Sequence, residues 1–365
     1  MYQNPFTPVF GNEPPILAGR DKLISDVLTG LDNPPGDPNR ITIFTGPRGS
    51  GKTVLLAKIV SEAGGRGFIG VLSAAYPGML DELREQVAEK AAEFLPKKSG
   101  VKLKGAQAAG FGVTIEQAAE AQVGWRTQMS RYLDILAKHD IGLLFAIDEV
   151  TANVPEMVQL VSTFQFFIME KRNVALMMAG LPNNVLQMFR HESISFLRRA
   201  FRRKLDPLRI PEVRAVMKKT IELSGRTIED AALKKAAENT SGMPFLIQLI
   251  GYHAFNQSDR KKIISADVDA GIESAREDME SMILDATLFD LSETDIRFLI
   301  AMTKDEGESR ISDIAARMDA DAAYVGIYRR RLIEQGVISP VGRGRIAFNM
   351  PMLKFLLKER FEEEL

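Results

Sequence analysis

Not one of the 365 residues is cysteine. Disulfides, thiolate metal sites and cysteine nucleophiles are excluded together, and the composition suits a reducing compartment. Histidine is nearly as scarce: His139, His191 and His253 stand far apart with no ligand spacing, so a zinc site has nothing to build on. Long apolar runs are missing too. No stretch approaches the roughly 18 consecutive apolar residues of a membrane helix, and the opening MYQNPFTPVFGNEPP has no basic segment followed by an apolar one. A cytoplasmic chain with no membrane partner is the expectation. Nor does one sign of charge dominate. The 47 Lys and Arg face 48 Asp and Glu, a net charge of -1, so any contact with nucleic acid must come from a local patch.

What is present is an ordinary globular composition, 45% apolar and 26% charged, long enough at about 150 residues per domain for two or three units. A Pro- and Gly-rich arm leads to a short helix at Asp21 to Leu31, and LDNPPGDPNR then forces a loop. RITIFT at 40 to 45 is a β-branched run followed by a glycine-rich turn and the helical sequence KTVLLAKIVSEA. Further buried strands are predicted at Phe68 to Ser73, Leu143 to Ile147 and Val174 to Ala179. Amphipathic helices are predicted at Met79 to Phe94, Thr127 to His139 and Val154 to Lys171. Alternating elements of this kind predict a parallel α/β core over residues 1–208. VKLKGAQAAGFGVTIE reads as a hairpin insertion. Residues 209–290 read as helices only, interrupted by the turn TSGMPF. Residues 291–365 read as three helices and a ribbon turning at Gly342 to Gly344, the order of a winged helix, with a solvated acidic tip at Glu362 to Glu364.

The strongest chemical signal is Gly46-Pro47-Arg48-Gly49-Ser50-Gly51-Lys52-Thr53, a phosphate-loop pattern between a strand and a helix. Glycines let the backbone curl its N–H groups around a phosphate at the positive end of the next helix. Lys52 supplies a mobile charge to the terminal phosphates, and the Thr53 hydroxyl is a hard ligand suited to magnesium. The alternative, a glycine turn without a ligand, would bury a lysine with no anion.

Leu143-Leu144-Phe145-Ala146-Ile147-Asp148-Glu149, whose Asp148 lies 95 residues after Thr53, is an apolar strand ending in two carboxylates. Placed after a phosphate loop it reads as the Walker B strand, with Asp148 holding magnesium and Glu149 polarising the attacking water. Otherwise the pair merely caps the following helix.

Together these motifs, the trailing helical unit and the winged helix resemble the AAA+ superfamily, especially the branch of origin-recognition-type initiators and signal-transduction (STAND-like) ATPases. The resemblance covers roughly the whole chain. It implies a five-stranded α/β/α core with a helical lid, and ATP with magnesium as cofactors. It also implies that Val54 follows the loop into the nucleotide site, and that Ile16-Leu17-Ala18-Gly19-Arg20-Asp21 contacts adenine through Leu17, Gly19 and Arg20. Two departures matter. Gly242-Met243-Pro244-Phe245 places Pro244 in the lid turn and Phe245 where many relatives carry a sensor arginine. Met178-Ala179-Gly180-Leu181-Pro182-Asn183 leaves Asn183 as the polar sensor. The run Phe196 to Lys204 is expected just before a fifth strand, where such proteins present an arginine finger to a neighbouring subunit; Arg199 and Arg198 are the candidates, against a solvated basic face.

Between Tyr324 and Phe348, Arg329, Arg330, Arg331, Arg343 and Arg345 stand against Glu334, a local charge of 5 - 1 = +4. Duplex DNA is one candidate partner of that face. The other is the ATPase core or a protein partner, because Ala322 to Ile327 offers few side chains able to read base edges. The sequence thus predicts an ATP-hydrolysing switch with slow turnover, with a DNA-acting initiator as the alternative. A nucleotide-dependent homo-oligomer is open in either case.

Overall fold

The computed structural model describes residues 2–9, 13–17, 19–94, 124–289 and 291–361. The hairpin expected at 101–116 and the acidic tip lie outside them. The core is a five-stranded parallel sheet: β1 (Ile41–Thr45), β2 (Phe68–Ala74), β3 (Gly142–Asp148), β4 (Val174–Gly180) and β5 (Phe201–Lys204), in the order β2-β3-β4-β1-β5. Every residue of β3 and β4 is buried. The side-chain period of two explains why. Leu143, Phe145 and Ile147 join the cluster on one face with Met157, Phe164 and Phe167. Leu144 and Ala146 join the other with Leu55, Leu56 and Ile59. A strand covered by helices on both sides can be apolar throughout.

The fifth strand differs from the expectation. The basic run does not precede it: its second half, Phe201 to Lys204, is the strand, while Arg198 and Arg199 end the 3-10 helix Glu192–Arg199. Paired only to β1 and largely exposed, this edge strand needs no apolar run, which is why none announced it.

Four helices follow: Ile210–Leu223, Asp230–Asn239, Pro244–Asn256 and Ser265–Met279. The expected all-helical unit also holds a two-residue parallel pairing of β6 (Thr227–Ile228) with β7 (Lys262–Ile263). Its entrance depends on one glycine. Gly242 has φ +74°, and a β-carbon there would lie 2.2 Å from the Leu208 carbonyl oxygen, so only glycine lets the turn approach the linker from the core.

The C-terminal unit comprises helices Glu293–Thr303, Ile311–Arg317 and Ala322–Glu334, then β9 (Ile338–Gly342) and β10 (Arg345–Phe348). This is the order of elements expected. β8 (Ser309–Arg310) adds a third strand against β10, and a further helix, Pro351–Arg360, packs on Glu293–Thr303. One apolar cluster runs through both helical units and takes in Phe6 of the N-terminal arm. No helix among the described residues is long and apolar enough to cross a membrane.

Candidate functional site

The loop 46–51 leaves β1 and enters the helix Lys52–Ala63 with Gly49 and Gly51 in the left-handed region, φ +77° and +85°. Such a path is open to glycine and strained for other residues, and it exposes the first turn of amides. Lys52 is only 5% exposed. Its ammonium donates to the carbonyls of Gly46, at 3.2 Å, and Pro47, at 3.0 Å, so a buried cation rests on neutral acceptors at the mouth of the loop. Burial pushes Lys52 below the ordinary lysine value; Glu149 and Asp148 pull it back, and Arg48 adds to the push.

Across the sheet edge, Asp148 ends β3, buried, and accepts the Thr53 hydroxyl on Oδ2 and the Glu149 N–H on Oδ1, the latter at 2.8 Å. Glu149 is exposed, and its backbone has φ +50°, an uncommon state for a residue with a β-carbon. The two carboxylates are therefore sorted: one behind Thr53, the other at the cavity wall.

That cavity is about 830 Å³. Arg48 to Val54 form its floor and Glu149 one wall; Leu17 and Arg20 line another part. Arg20 Nη2 donates to the Asp206 carbonyl at 3.1 Å and the Ser50 carbonyl at 3.4 Å, tying the N-terminal segment to the loop. Burial lowers the Arg20 pKa, while Asp206 and Glu212 raise it. Pro244 and Phe245 cover the loop from the lid. Their atoms come 3.9 Å and 3.6 Å from where β-carbons on Gly51 and Gly49 would stand.

Not every expected residue is at this wall. Gly19 turns with φ +59° against Leu208 and does not line the cavity. Asn183 lies in the first turn of the helix Pro182–Arg190, also off the cavity. Gly46 and Pro47 act from beneath, through their carbonyls. Arg199 is exposed and away from the cavity, and Arg198 Nε is occupied by the Phe189 carbonyl at 2.8 Å.

Two walls were not anticipated. Thr7, Pro8 and Val9 line the cavity from an arm that straps the lid: Asn4 Nδ2 donates to the Tyr252 carbonyl at 3.0 Å, and Thr7 N–H to Gln248 Oε1 at 3.0 Å. From the opposite end of the chain come Gln335, Gly336, Val337, Asn349, Met350 and Leu353. Here the Arg48 N–H donates to the Asn349 carbonyl at 3.1 Å. Main-chain contacts of this kind leave no signature in side-chain types.

The site fits a nucleoside triphosphate with magnesium on its own evidence. The Ser50 hydroxyl is buried in the loop with no hydrogen-bond partner among the described residues, and the Lys52 charge has no anion beside it in the loop. Thr53 and Asp148 offer hard oxygens.

Residues 281–356 match a domain of unknown function (DUF8462). No curated protein matches the sequence. Among solved structures, a Walker-type ATPase of Pyrococcus abyssi is similar with TM-score 0.66 at 15% identity, covering 94% of this chain and 96% of that one. The ORC2 protein of Aeropyrum pernix, in ADPNP-ADP complexes, has TM-score 0.60 at 11% identity, with coverage of 98% and 97%. Cdc6p from Pyrobaculum aerophilum has TM-score 0.50 at 15% identity, with 98% of each chain covered. With its five parallel strands in the order β2-β3-β4-β1-β5 and its helical additions, the chain has the AAA+ fold of ORC and Cdc6-type proteins.

Proposed function

We propose that the protein is a magnesium-dependent, ATP-hydrolysing switch of the AAA+/STAND-type class, whose nucleotide state sets the orientation of its lid and its C-terminal winged helix. The observation that carries this reading is the loop itself: left-handed glycines, an unpartnered buried hydroxyl, and Lys52 held on neutral carbonyls where a polyphosphate would sit. The ADPNP-ADP complexes named for the Aeropyrum pernix protein of the same fold support adenine nucleotides as the ligand.

The roles follow from placement. Amides of Gly49 to Thr53 and the Lys52 ammonium bind the phosphates. Thr53 and Asp148 would hold magnesium, which when bound neutralises charge on the transferring phosphoryl group. Glu149, on the cavity wall, orients a water and takes its proton. Leu17, Arg20, Val54 and Pro244 enclose the nucleotide. Arg199, exposed and remote, serves a neighbouring copy in a nucleotide-dependent homo-oligomer.

Calorimetry with ATP and magnesium tests the reading directly. Saturable binding lost in Lys52→Ala is expected, accompanied by slow phosphate release. Binding that is indifferent to Lys52 contradicts it.

Duplex DNA remains a second reading, because Tyr324, Arg330 and Arg343 are exposed on the helix Ala322–Glu334 and the tip of the ribbon. Two of the five arginines are already engaged: Arg331 with buried Asp295, and Arg345 with Glu308 at 3.3 Å. Duplex affinity that falls with salt by a log-log slope of about -0.9 per neutralised phosphate supports DNA contact. A flat response favours packing on the ATPase core or a protein partner.

A further inference from the structure

A trans peptide is planar, and its C=O and N–H point opposite ways. A loop that cradles phosphates with its amides therefore has a second side, and whatever holds a carbonyl there sets the aim of the amide that follows. Lys52 holds the carbonyls of Gly46 and Pro47, and the Leu55 N–H holds that of Gly51 at 3.0 Å. The Ser50 carbonyl is held from outside the loop, by Arg20.

Arg20 is only 7% exposed and stands at the head of the helix Asp21–Asp32. The two hydrogens of its Nη2 serve two carbonyls, that of Asp206 at 3.1 Å and that of Ser50 at 3.4 Å. The Asp206 end is a fixed point, because the preceding Leu205 N–H donates to the Thr45 carbonyl at 2.7 Å, at the end of the strand from which the loop departs. The Ser50 end needs a hold. Gly49 and Gly51 flank it with φ +77° and +85°, and glycine on both sides leaves the peptide plane between Ser50 and Gly51 free to turn. The Gly51 N–H of that plane donates to no acceptor among the described residues.

We infer that Arg20 is a positioning residue for the phosphates and not a reader of the base: by tying the Ser50 carbonyl to the fixed Asp206 carbonyl it keeps the Gly51 N–H aimed at the bound polyphosphate. Contact with adenine then falls to apolar neighbours on the cavity wall, Leu17 and Val54. A guanidinium suits the task, since its hydrogens lie in a rigid plane and a bond from a cation to a carbonyl is roughly twice as strong as a neutral one. The assignment differs from the adenine contact that the resemblance implies for Arg20, and it rests on the nucleotide-binding reading above.

Inorganic tripolyphosphate separates the two assignments, because it carries the phosphates without the base. On a Glu149→Gln background that blocks turnover, calorimetry with magnesium is expected to show Arg20→Gln weakening ATP and tripolyphosphate by the same factor, about tenfold, the low end for a hydrogen bond to a charged group. Arg20→Lys keeps the charge without the planar fork; a smaller and again equal loss is expected, and this variant decides alone should Arg20→Gln fold poorly. The Gly51 amide resonance of glycine-labelled protein tells positioning from mere loss of stability. Its downfield shift on saturation with ATP is expected to shrink in either variant, whereas a variant that is only less stable keeps the full shift and lowers the melting temperature alone. The inference is overturned if ATP affinity falls while tripolyphosphate affinity holds, which returns Arg20 to the base, if neither affinity changes, or if the Gly51 shift survives intact. A parent that binds neither ligand removes the nucleotide reading, and this inference with it; in a parent that binds ATP alone, the Gly51 shift decides.

Discussion

The Thr53 hydroxyl donates to Oδ2 of Asp148, joining the first turn after the phosphate loop to the end of β3. Asp148 also accepts the Glu149 N–H, which fixes its neighbour in a left-handed conformation that turns the second carboxylate to the cavity. The buried carboxylate is thus engaged by Thr53 and the turn, and the exposed one lines the cavity, the division of labour that the proposed function gives to metal binding and to chemistry. Replacing Glu149 with Gln preserves shape while removing the proton acceptor. The expected result is ATP hydrolysis slowed by about 10² to 10⁴ with ATP affinity retained. Phosphate-release rates beside equilibrium binding decide it, and undiminished turnover removes Glu149 from the role.

Lys52 gives a pH signature. In the free site its pKa lies below the ordinary lysine value, first through burial and then through Arg48, against the pull of Glu149 and Asp148. A bound polyphosphate favours the ammonium and raises the pKa. Between the free and bound values binding takes up a proton, so affinity falls as pH rises through that window; below it Lys52 is charged in both states and contributes no uptake. The stability sign runs the other way. In the ligand-free protein the unfolded lysine holds its proton to higher pH, so this group's contribution to stability rises with pH between the folded and unfolded values. Calorimetry in two alkaline buffers of different ionisation heat reads the uptake. Identical heats in both buffers across the alkaline range contradict it.

How much of this was legible in the sequence depended on where the information lay. The loop, its strand and its helix could be read locally, because glycine spacing and a β-branched run act through their own backbone. β3 and β4 could be read because burial on both faces demands continuous apolar residues. β5 could not, since an exposed edge strand obeys no such demand. Counting arginines in the C-terminal unit overstated its free charge, because Asp295, fully buried and distant in sequence, holds Arg331. The outer walls of the cavity were invisible for a stronger reason. Thr7 to Val9 and the residues Gly336, Val337 and Asn349 arrive from opposite chain ends, and the contact of Arg48 with Asn349 is made by backbone atoms that every sequence possesses.

The N-terminal strap gives a prediction that joins stability to binding. Phe6 is buried in the lid cluster against Gly251, where a β-carbon would stand 2.4 Å from the ring. Phe6→Ala is expected to cost about 3 to 5 kcal/mol in denaturant unfolding, the range for a buried phenylalanine. Because Thr7 to Val9 follow directly into the cavity, nucleotide affinity should fall as well. Loss of stability with affinity intact would mean that the strap braces the lid and leaves the ligand alone.

Arg198 and Arg199 are adjacent, yet their surroundings differ. Arg198 donates through Nε to the Phe189 carbonyl, and its bond closes the 3-10 helix onto the helix before it. Arg199 is exposed at the end of that helix, away from its own cavity, the placement that the proposed finger to a neighbouring copy requires. An arginine supplied across an interface is worth about 10³ to 10⁵ in rate in other NTPases. If it acts here, specific ATPase activity rises with protein concentration. Arg199→Ala should flatten that rise toward the dilute rate, whereas Arg198→Ala should lower stability and leave the dependence in place. Activity that scales with concentration equally in both variants would place the finger elsewhere and return Arg199 to an ordinary solvated face.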